Sequence, residues 1–322
     1  MNPALSMNSL SNRRKGGVKP NLEVKIGKLK LKNPVIAASG TFGEEYEDLI
    51  DINSLGAIVT KTITLKTRKG NPPPRVCETP SGMLNSIGLE NKGLDFFLDE
   101  KLPRLAKFKT PIIASIAGND EAEFGRLARS LDKAKGVSAI ELNLSCPNIK
   151  YGGHECLIAQ DEGLTARIVR AVRRATKLTI IAKLSPNVTD ITKIARAAEK
   201  SGADSVSLIN TFYGMSIDIE TRKPRLGNIT GGLSGPAIRP MALHAVWSVY
   251  NAVGIPIIGM GGIIDYKDAI EFMLCGARAV QIGTANFVNP KTTIEVIDGI
   301  KDYLMREKLA DVDMLISALK RR

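Results

Sequence analysis

The sequence predicts a single α/β domain, a (β/α)8 TIM barrel. Three observations carry that expectation. Eight short runs of β-branched and apolar residues recur along the chain, helical periodicity fills the gaps between them, and no linker or shift in composition divides the 322 residues in two. An open doubly wound sheet with a second domain would need such a break. The length also suits, since barrels form one unit of about 250 residues or more where other domains stop near 200.

Taken in order, residues 22–32, "LEVKIGKLKLK", alternate about a central Gly27 and predict a hairpin ahead of the first barrel strand. The barrel strands are expected at 35–38, 57–64, 111–117, 139–145, 178–184, 205–210, 256–260 and 279–283. Helical patterns are clearest at 120–135, 162–177, 189–201 and 265–275, several opened by Asp, Glu or Thr and closed by Lys or Gly. These limits place the barrel at 22–310, with a flexible basic tail at 1–21 and a C-terminal tail at 311–322. Three connections are overlong, 65–93, 147–161 and 211–240, and each follows the C-terminal end of a strand. Barrels build their sites on such loops.

Composition narrows the function. Hydrophobic residues at 43% and charged residues at 24% provide a large core, which excludes disordered and fibrous classes. No stretch approaches 18 uncharged apolar residues and the polar N-terminus lacks the apolar centre of a secretory signal. A soluble, cytoplasmic protein without a membrane partner is therefore expected. Lys and Arg number 45 against 33 acids, a net charge of +12, but Arg13, Arg14, Lys15 and Lys19 supply a third of that excess. The remaining charges mix on helix faces as a solvated surface does, so no nucleic-acid partner is expected. Cys77, Cys146, Cys156 and Cys275 are too far apart for a Cys-x-x-Cys pair and there are only two histidines, so neither a metal site nor a disulfide framework is expected.

The run "AIELNLS" places Ile140, Leu142 and Leu144 on one face and Glu141, Asn143 and Ser145 on the other. The outer face of a barrel strand must pack against helices, so the polar face points inward. Cys146 then stands at the strand's end, ahead of Pro147 and a long loop. A free cysteine is ordinarily a small buried hydrophobe. Its placement favours a reactive thiol at 146, whereas Cys77, Cys156 and Cys275 keep the ordinary reading. Lys61 and Lys183 interrupt apolar strands, and an inward lysine requires an anion, a polar ligand, or an inward carboxylate such as Glu141. With Asn143 they point to a bound molecule with electron-rich oxygens. The glycine-rich "GGLSGPA" (231–237), "GMGGI" (259–263) and "IGTA" (282–285) add bare backbone amides. The last two follow strands seven and eight, where such barrels hold phosphate. A Gly-x-Gly-x-x-Gly fingerprint is absent from these positions, so a nicotinamide cofactor is not expected.

Together "NSIGLEN" (85–91), "NLSCPN" (143–148), "INTFYGMSIDIETRKPRLGN" (209–228), "GGLSGPAIRP" (231–240) and "GMGGI" resemble the dihydroorotate dehydrogenases, flavin enzymes of pyrimidine synthesis. The resemblance runs from about residue 22 to 310. Cysteine rather than serine at 146, the lack of a membrane-targeting N-terminal helix, and "TRKPRLGN" resemble the class 1B catalytic subunit in particular. The resemblance implies that FMN is held by Ser39, Lys61, Thr62, Asn143, Lys183, Ile209, Gly235, Gly261, Gly262, Gly283 and Thr284. It implies that dihydroorotate is held by Lys61, Asn85, Ser86, Ile87, Gly88, Leu89, Asn143, Asn210 and Thr211, with Cys146 as catalytic base. The implied reaction oxidises dihydroorotate to orotate in de novo pyrimidine synthesis, a ring proton going to Cys146 and a hydride to FMN. A homodimer is implied too, as is a second subunit carrying FAD and a 2Fe-2S cluster; a lone dimer using fumarate or another small acceptor is the alternative.

Two departures stand out. Ser115 occupies a position where class 1B usually has a flavin-contacting Asn, and "CLIAQ" (156–160) replaces an aromatic-Gly-Thr-Asp-Pro run in the catalytic loop. His154, in that loop, reads as exposed or capping rather than as a proton relay. Three other readings compete. A tRNA dihydrouridine synthase is also an FMN barrel with an active cysteine, but no helical RNA-binding domain follows this barrel. The flavin barrel of dihydropyrimidine dehydrogenase is a nearer relative, but that protein carries many iron-sulfur cysteines. A non-catalytic phosphate-binding barrel has no use for Cys146 beside Asn143 and two inward lysines.

Overall fold

The β-branched runs close on one another. The computed structural model describes residues 19–145, 150–151, 154–155 and 158–320. Its barrel strands are β1 Val35–Ala37, β2 Ala57–Val59, β3 Ile112–Ile116, β4 Val137–Asn143, β5 Thr179–Lys183, β6 Ser205–Leu208, β7 Ile257–Met260 and β8 Ala279–Ile282. All pair in parallel in sequence order, and β8 returns to β1 to close the barrel.

The outer layer contains α1 (94–105), α2 Glu121–Lys133, α3 Glu162–Ala175, α4 Ile191–Lys200, α5 Arg239–Tyr250, α6 Tyr266–Leu274 and α7 Thr292–Arg306. Short turns Glu44–Tyr46 and Ile52–Ser54 take the place of a helix after β1. Four helices begin on an aspartate whose carboxylate accepts a first-turn N–H: Asp120, Asp161, Asp190 and Asp265. Each such cap contributes about 1 kcal/mol. In α3, Leu164, Ile168, Val169 and Val172 bury one stripe, the three-to-four spacing that docks a helix on a barrel.

The predicted strand over 57–64 is shorter than expected. The Ser115 backbone N–H donates to Thr60 Oγ1 at 3.1 Å, and this side-chain acceptor interrupts the ladder after Val59. The chain bulges over 60–62 and rejoins β3 at Ile63, whose N–H donates to Ser115 O at 2.8 Å. Lys61 lies within this bulge and is exposed to solvent.

Val24–Ile26 and Leu29–Leu31 form the expected hairpin, with Gly27 turning at φ +56°. It seats at the foot of β5, where the Lys28 N–H donates to Thr179 Oγ1. Packing continues past residue 310, the limit expected from the sequence. The Asn21 N–H donates to Ala310 O and the Val312 N–H donates to Asn21 O, and Val312 and Leu315 are buried in the main core.

Above the opposite end lies an antiparallel sheet that the sequence did not reveal. Its order is Phe212–Met215, Thr230–Ser234, Gly82–Asn85, Val76–Thr79, so the long connections after β2 and β6 meet over the mouth.

Candidate active site

The inward direction of β4's polar face is settled by a contact across the barrel. Glu141 is fully buried, and its Oε2 accepts from Gln281 Nε2 at 2.7 Å and from Ser207 Oγ at 3.1 Å. Gln281 is on β8, four strands from β4, so the two side chains can meet only inside. Lys183, at the end of β5, directs Nζ to within 3.7 Å of Glu141 Oε1, and its side chain is 10% exposed. The carboxylate partner considered for the inward lysines is therefore found for Lys183. For Lys61 the structure corrects the expectation: it is exposed at the mouth and makes no ion pair among the described residues.

One layer higher, Asn143 stands in register with Lys183. Asn143 Nδ2 donates to Thr62 Oγ1 at 3.1 Å, and Thr62 Oγ1 lies 3.0 Å from Ser115 Oγ and 3.4 Å from Ser39 Oγ. Ser39 Oγ donates in turn to Thr60 O at 2.7 Å. This chain joins the ends of β1, β2, β3 and β4. Its unmet member is Asn143 Oδ1, buried without a donor. Buried acceptors are nearly always paired, so an amide oxygen left open beside a buried ammonium marks a place where a ligand N–H fits. Ser115 is fully buried and its short side chain ends on Thr62, which accounts for how serine is accommodated at this position.

Three glycines on the other side of the mouth are required by geometry. Gly261 and Gly262, after β7, have φ of +123° and +78°, and Gly235, before α5, has +96°. A Cβ at Gly262 would stand 2.8 Å from both Arg239 Cβ and Gly235 O; one at Gly235 would stand 2.7 Å from Gly82 Cα. Backbone thus packs on backbone, leaving amides uncovered by side chains, as a phosphate requires. Gly283 differs: its nearest neighbours would be Ala38 Cβ and Thr41 Cγ2 at 3.6 and 3.7 Å. Thr284 Oγ1 donates to Ser234 Oγ at 2.8 Å and ties the loop after β8 to the sheet above.

The 85–89 turn is held from below. Ser86 N–H donates to Arg75 O at 2.7 Å, Asn71 Nδ2 donates to Ser86 Oγ at 2.8 Å, and Asn71 N–H donates to Ile87 O at 3.1 Å. An Arg75–Glu90 ion pair at 2.9 Å braces the same turn. Gly88 and Leu89 both have positive φ, +74° and +54°. Asn85 Nδ2 reaches Gly232 O at 3.4 Å. Across the mouth, Ile209 is buried at a cis Leu208–Ile209 peptide, and Asn210 Oδ1 accepts from Thr211 N–H at 2.8 Å, which leaves the Asn210 amide group as donor. Asn187 holds this corner, its Nδ2 donating to Thr211 O at 2.9 Å.

The sequence-predicted residues of β1, β2, β4, β5 and the loops after β6, β7 and β8 are thus brought to one end of the barrel. Cys146, Pro147 and Cys156 lie outside the described residues, as does the side chain of His154. Cys275 ends α6, where burial first and Glu271 second push its thiol above the ordinary value, in keeping with an unreactive cysteine. Sequence reasoning missed Gln281, Ser207, Asn71 and Asn187. Gln281 had a signal, a lone polar residue within "AVQIG"; the others had none. No group of three or more His, Cys, Asp or Glu able to hold a metal occurs among the described residues.

Known proteins extend this geometry. The dihydroorotate dehydrogenase family profile matches residues 21–304. The chain is 54% identical, over 94% of its length and 99% of the relative's, to the "Dihydroorotate dehydrogenase B (NAD(+)), catalytic subunit" of Desulforamulus reducens. Proteins of the same description from Desulforudis audaxviator and Bacteroides thetaiotaomicron are each 53% identical, over 94% and 93% of this chain and 99% of their own.

Proposed function

The chain belongs to the dihydroorotate dehydrogenase family, and on that premise we propose that the barrel mouth binds FMN and dihydroorotate, with Cys146 as base. The oxidation of dihydroorotate to orotate is the family's step in pyrimidine synthesis. One observation supports the site assignment above the others: Lys183, Asn143, Thr62 and Ser39 converge at the same end of the barrel as the bare amides after β7 and β8.

The donor set fits a flavin phosphate. Gly235, Gly261, Gly262, Gly283 and Thr284 would hold the phosphate, Lys183 and Asn143 the polar edge of the ring, and Ser39, Thr62, Lys61 and Ile209 its flank. FMN bound there supplies the hydride acceptor. Lys183 offers an ammonium where a reduced flavin gathers negative charge. Asn143 Oδ1, lacking a donor, is suited to a ring N–H.

Dihydroorotate would lie under the accessory sheet, its carboxylate on the backbone amides of Asn85 through Leu89 and its amide edges read by Asn143, Asn210 and Thr211. The bracing of that turn by Asn71 and Arg75 fixes the amides before substrate arrives. Lys61, exposed and free of an ion pair among the described residues, is available to both molecules. Cys146 would take one ring proton; a thiol with an ordinary pKa near 8.5 needs a lowered value or substrate-induced deprotonation to act as base.

The relatives are described as NAD-dependent catalytic subunits. We take this chain likewise as a catalytic subunit, and propose a homodimer with 22–310 forming the FMN barrel, served by a second subunit with FAD and a 2Fe-2S cluster. Met215, Ile217, Ile219 and Ile229 on the accessory sheet and its loops are exposed apolar side chains of the kind a dimer covers. No helix of the described residues is long and apolar enough to cross a membrane, which suits a cytoplasmic enzyme. The test is to identify the flavin released on denaturation and to follow anaerobic turnover with NAD. FMN, with turnover stalling after one flavin equivalent and resuming on addition of the second subunit, is expected. FAD or no flavin, or sustained NAD reduction by the chain alone, contradicts the proposal.

A further inference from the structure

Glu141 touches neither molecule in the site as proposed, yet it is a completely buried carboxylate. Its two oxygens are used unequally. Oε2 is saturated by Gln281 and Ser207, while Oε1 receives no hydrogen bond and faces Lys183 Nζ at 3.7 Å, beyond hydrogen-bond length.

The neighbours of Lys183 offer no other compensation. In register beside it stand Asn143 on β4 and Ser207 on β6; Ser115 on β3 stands beside Glu141, and Gln281 enters from β8. None of these carries charge. Lys61, on the segment after β2, is a second cation at the mouth and is exposed. Among the described residues, Glu141 is the one counter-charge in ion-pair reach of Lys183. A lysine taken out of water gives up its proton unless an anion retains it.

We propose that Glu141 is a positioning residue that acts through Lys183. Its carboxylate is the counter-charge against which the buried Lys183 side chain is set. Being tied through Oε2 to β6 and β8, it stops short of the lysine, so the ammonium's donors stay free for the flavin. This rests on the reading that Lys183 faces the flavin, and the experiment separates the two claims.

The reduction potential of the bound flavin is measured against pH in FMN-loaded wild type, Glu141→Gln, Lys183→Met and the double variant. Glutamine has nearly the shape of glutamate and can keep the Gln281 and Ser207 contacts. At about pH 8 the reduced-to-oxidised flavin ratio at a fixed ambient potential is expected to fall roughly tenfold in Glu141→Gln, about 30 mV for a two-electron couple. In the Lys183→Met background Glu141 has no lysine to act through, so adding Glu141→Gln changes the ratio by less than about twofold.

An unchanged or raised potential in Glu141→Gln at every pH overturns the inference, because Lys183 then acts on the flavin without Glu141. If instead Lys183→Met leaves the potential of the bound flavin at the wild-type value, the placement of Lys183 is wrong and the inference falls with it. Should Glu141→Gln fail to fold, Glu141→Asp, which withdraws the charge by one methylene, is measured with the same expected directions.

Discussion

Replacing Gly262 by alanine separates a glycine that the fold requires from one that it tolerates. At φ +78° an alanine is strained, at about 1–2 kcal/mol. Its Cβ would also sit 2.8 Å from Arg239 Cβ and from Gly235 O, neither of which is the free end of a flexible side chain. Relief requires the first turn of α5 to move away from the loop after β7, an overpacking cost of about 1–3 kcal/mol. Together these lower the melting temperature of the flavin-free protein by roughly 3–7 °C. With the FMN phosphate placed as proposed, the same displacement spoils one amide contact to it, a charge-assisted bond of about 1.5–3 kcal/mol, so FMN affinity falls roughly tenfold or more. Gly283→Ala is the control, since its Cβ meets ordinary contacts at 3.6 and 3.7 Å and its φ is not positive. Thermal melts and FMN titration by fluorescence provide both readings. Equal melting temperatures and equal FMN affinities for the two variants would refute the reasoning.

Other residues give further expectations. Cys146→Ala should retain FMN yet lose about a hundred- to ten-thousand-fold in the rate of flavin reduction by dihydroorotate, the usual range for a general base; a wild-type rate in stopped flow assigns the base elsewhere. Lys61→Ala should weaken dihydroorotate and FMN binding while leaving the melting temperature of the flavin-free protein unchanged, because the side chain is exposed and unpaired among the described residues; a large drop in that temperature contradicts this. The Thr176 hydroxyl, then the backbone N–H of Lys177, hold the Asp132 carboxyl below its ordinary value against a smaller desolvation effect. That stabilisation is complete above the unfolded carboxylate pKa of about 3.9 and is lost as pH falls through the lower folded value. Asp132→Asn should therefore melt below wild type at neutral pH, with the gap closing on acidification; a gap that persists in acid contradicts the assignment.

How much of this was legible follows from what local pattern can encode. The eight barrel strands were visible because most are short β-branched and apolar runs set between helical patterns, and the inward face of β4 was visible from alternation alone. The accessory sheet was not: its strands are short and rich in Gly82, Gly214, Gly231 and Gly232, and Asn85 meets Gly232 across 147 residues. Lys61 misled because the β-branched run resumes at Thr62 and Ile63 directly after it, and nothing local shows that Thr60 will take the Ser115 N–H. Glycines 261, 262 and 283 read alike in sequence, although only the first two adopt positive φ. The Glu141–Lys183 pairing was an open alternative; its anchoring by Gln281 was not foreseen, although the argument applied to an isolated lysine in a strand applies equally to an isolated glutamine.

The most direct test of the account is anaerobic mixing of the purified, flavin-loaded protein with dihydroorotate. Loss of the visible flavin absorption, with one orotate formed per flavin, is predicted, as is no comparable loss on mixing with NADPH and tRNA. A flavin that stays oxidised with dihydroorotate, or is reduced only by NADPH with tRNA turnover, contradicts it.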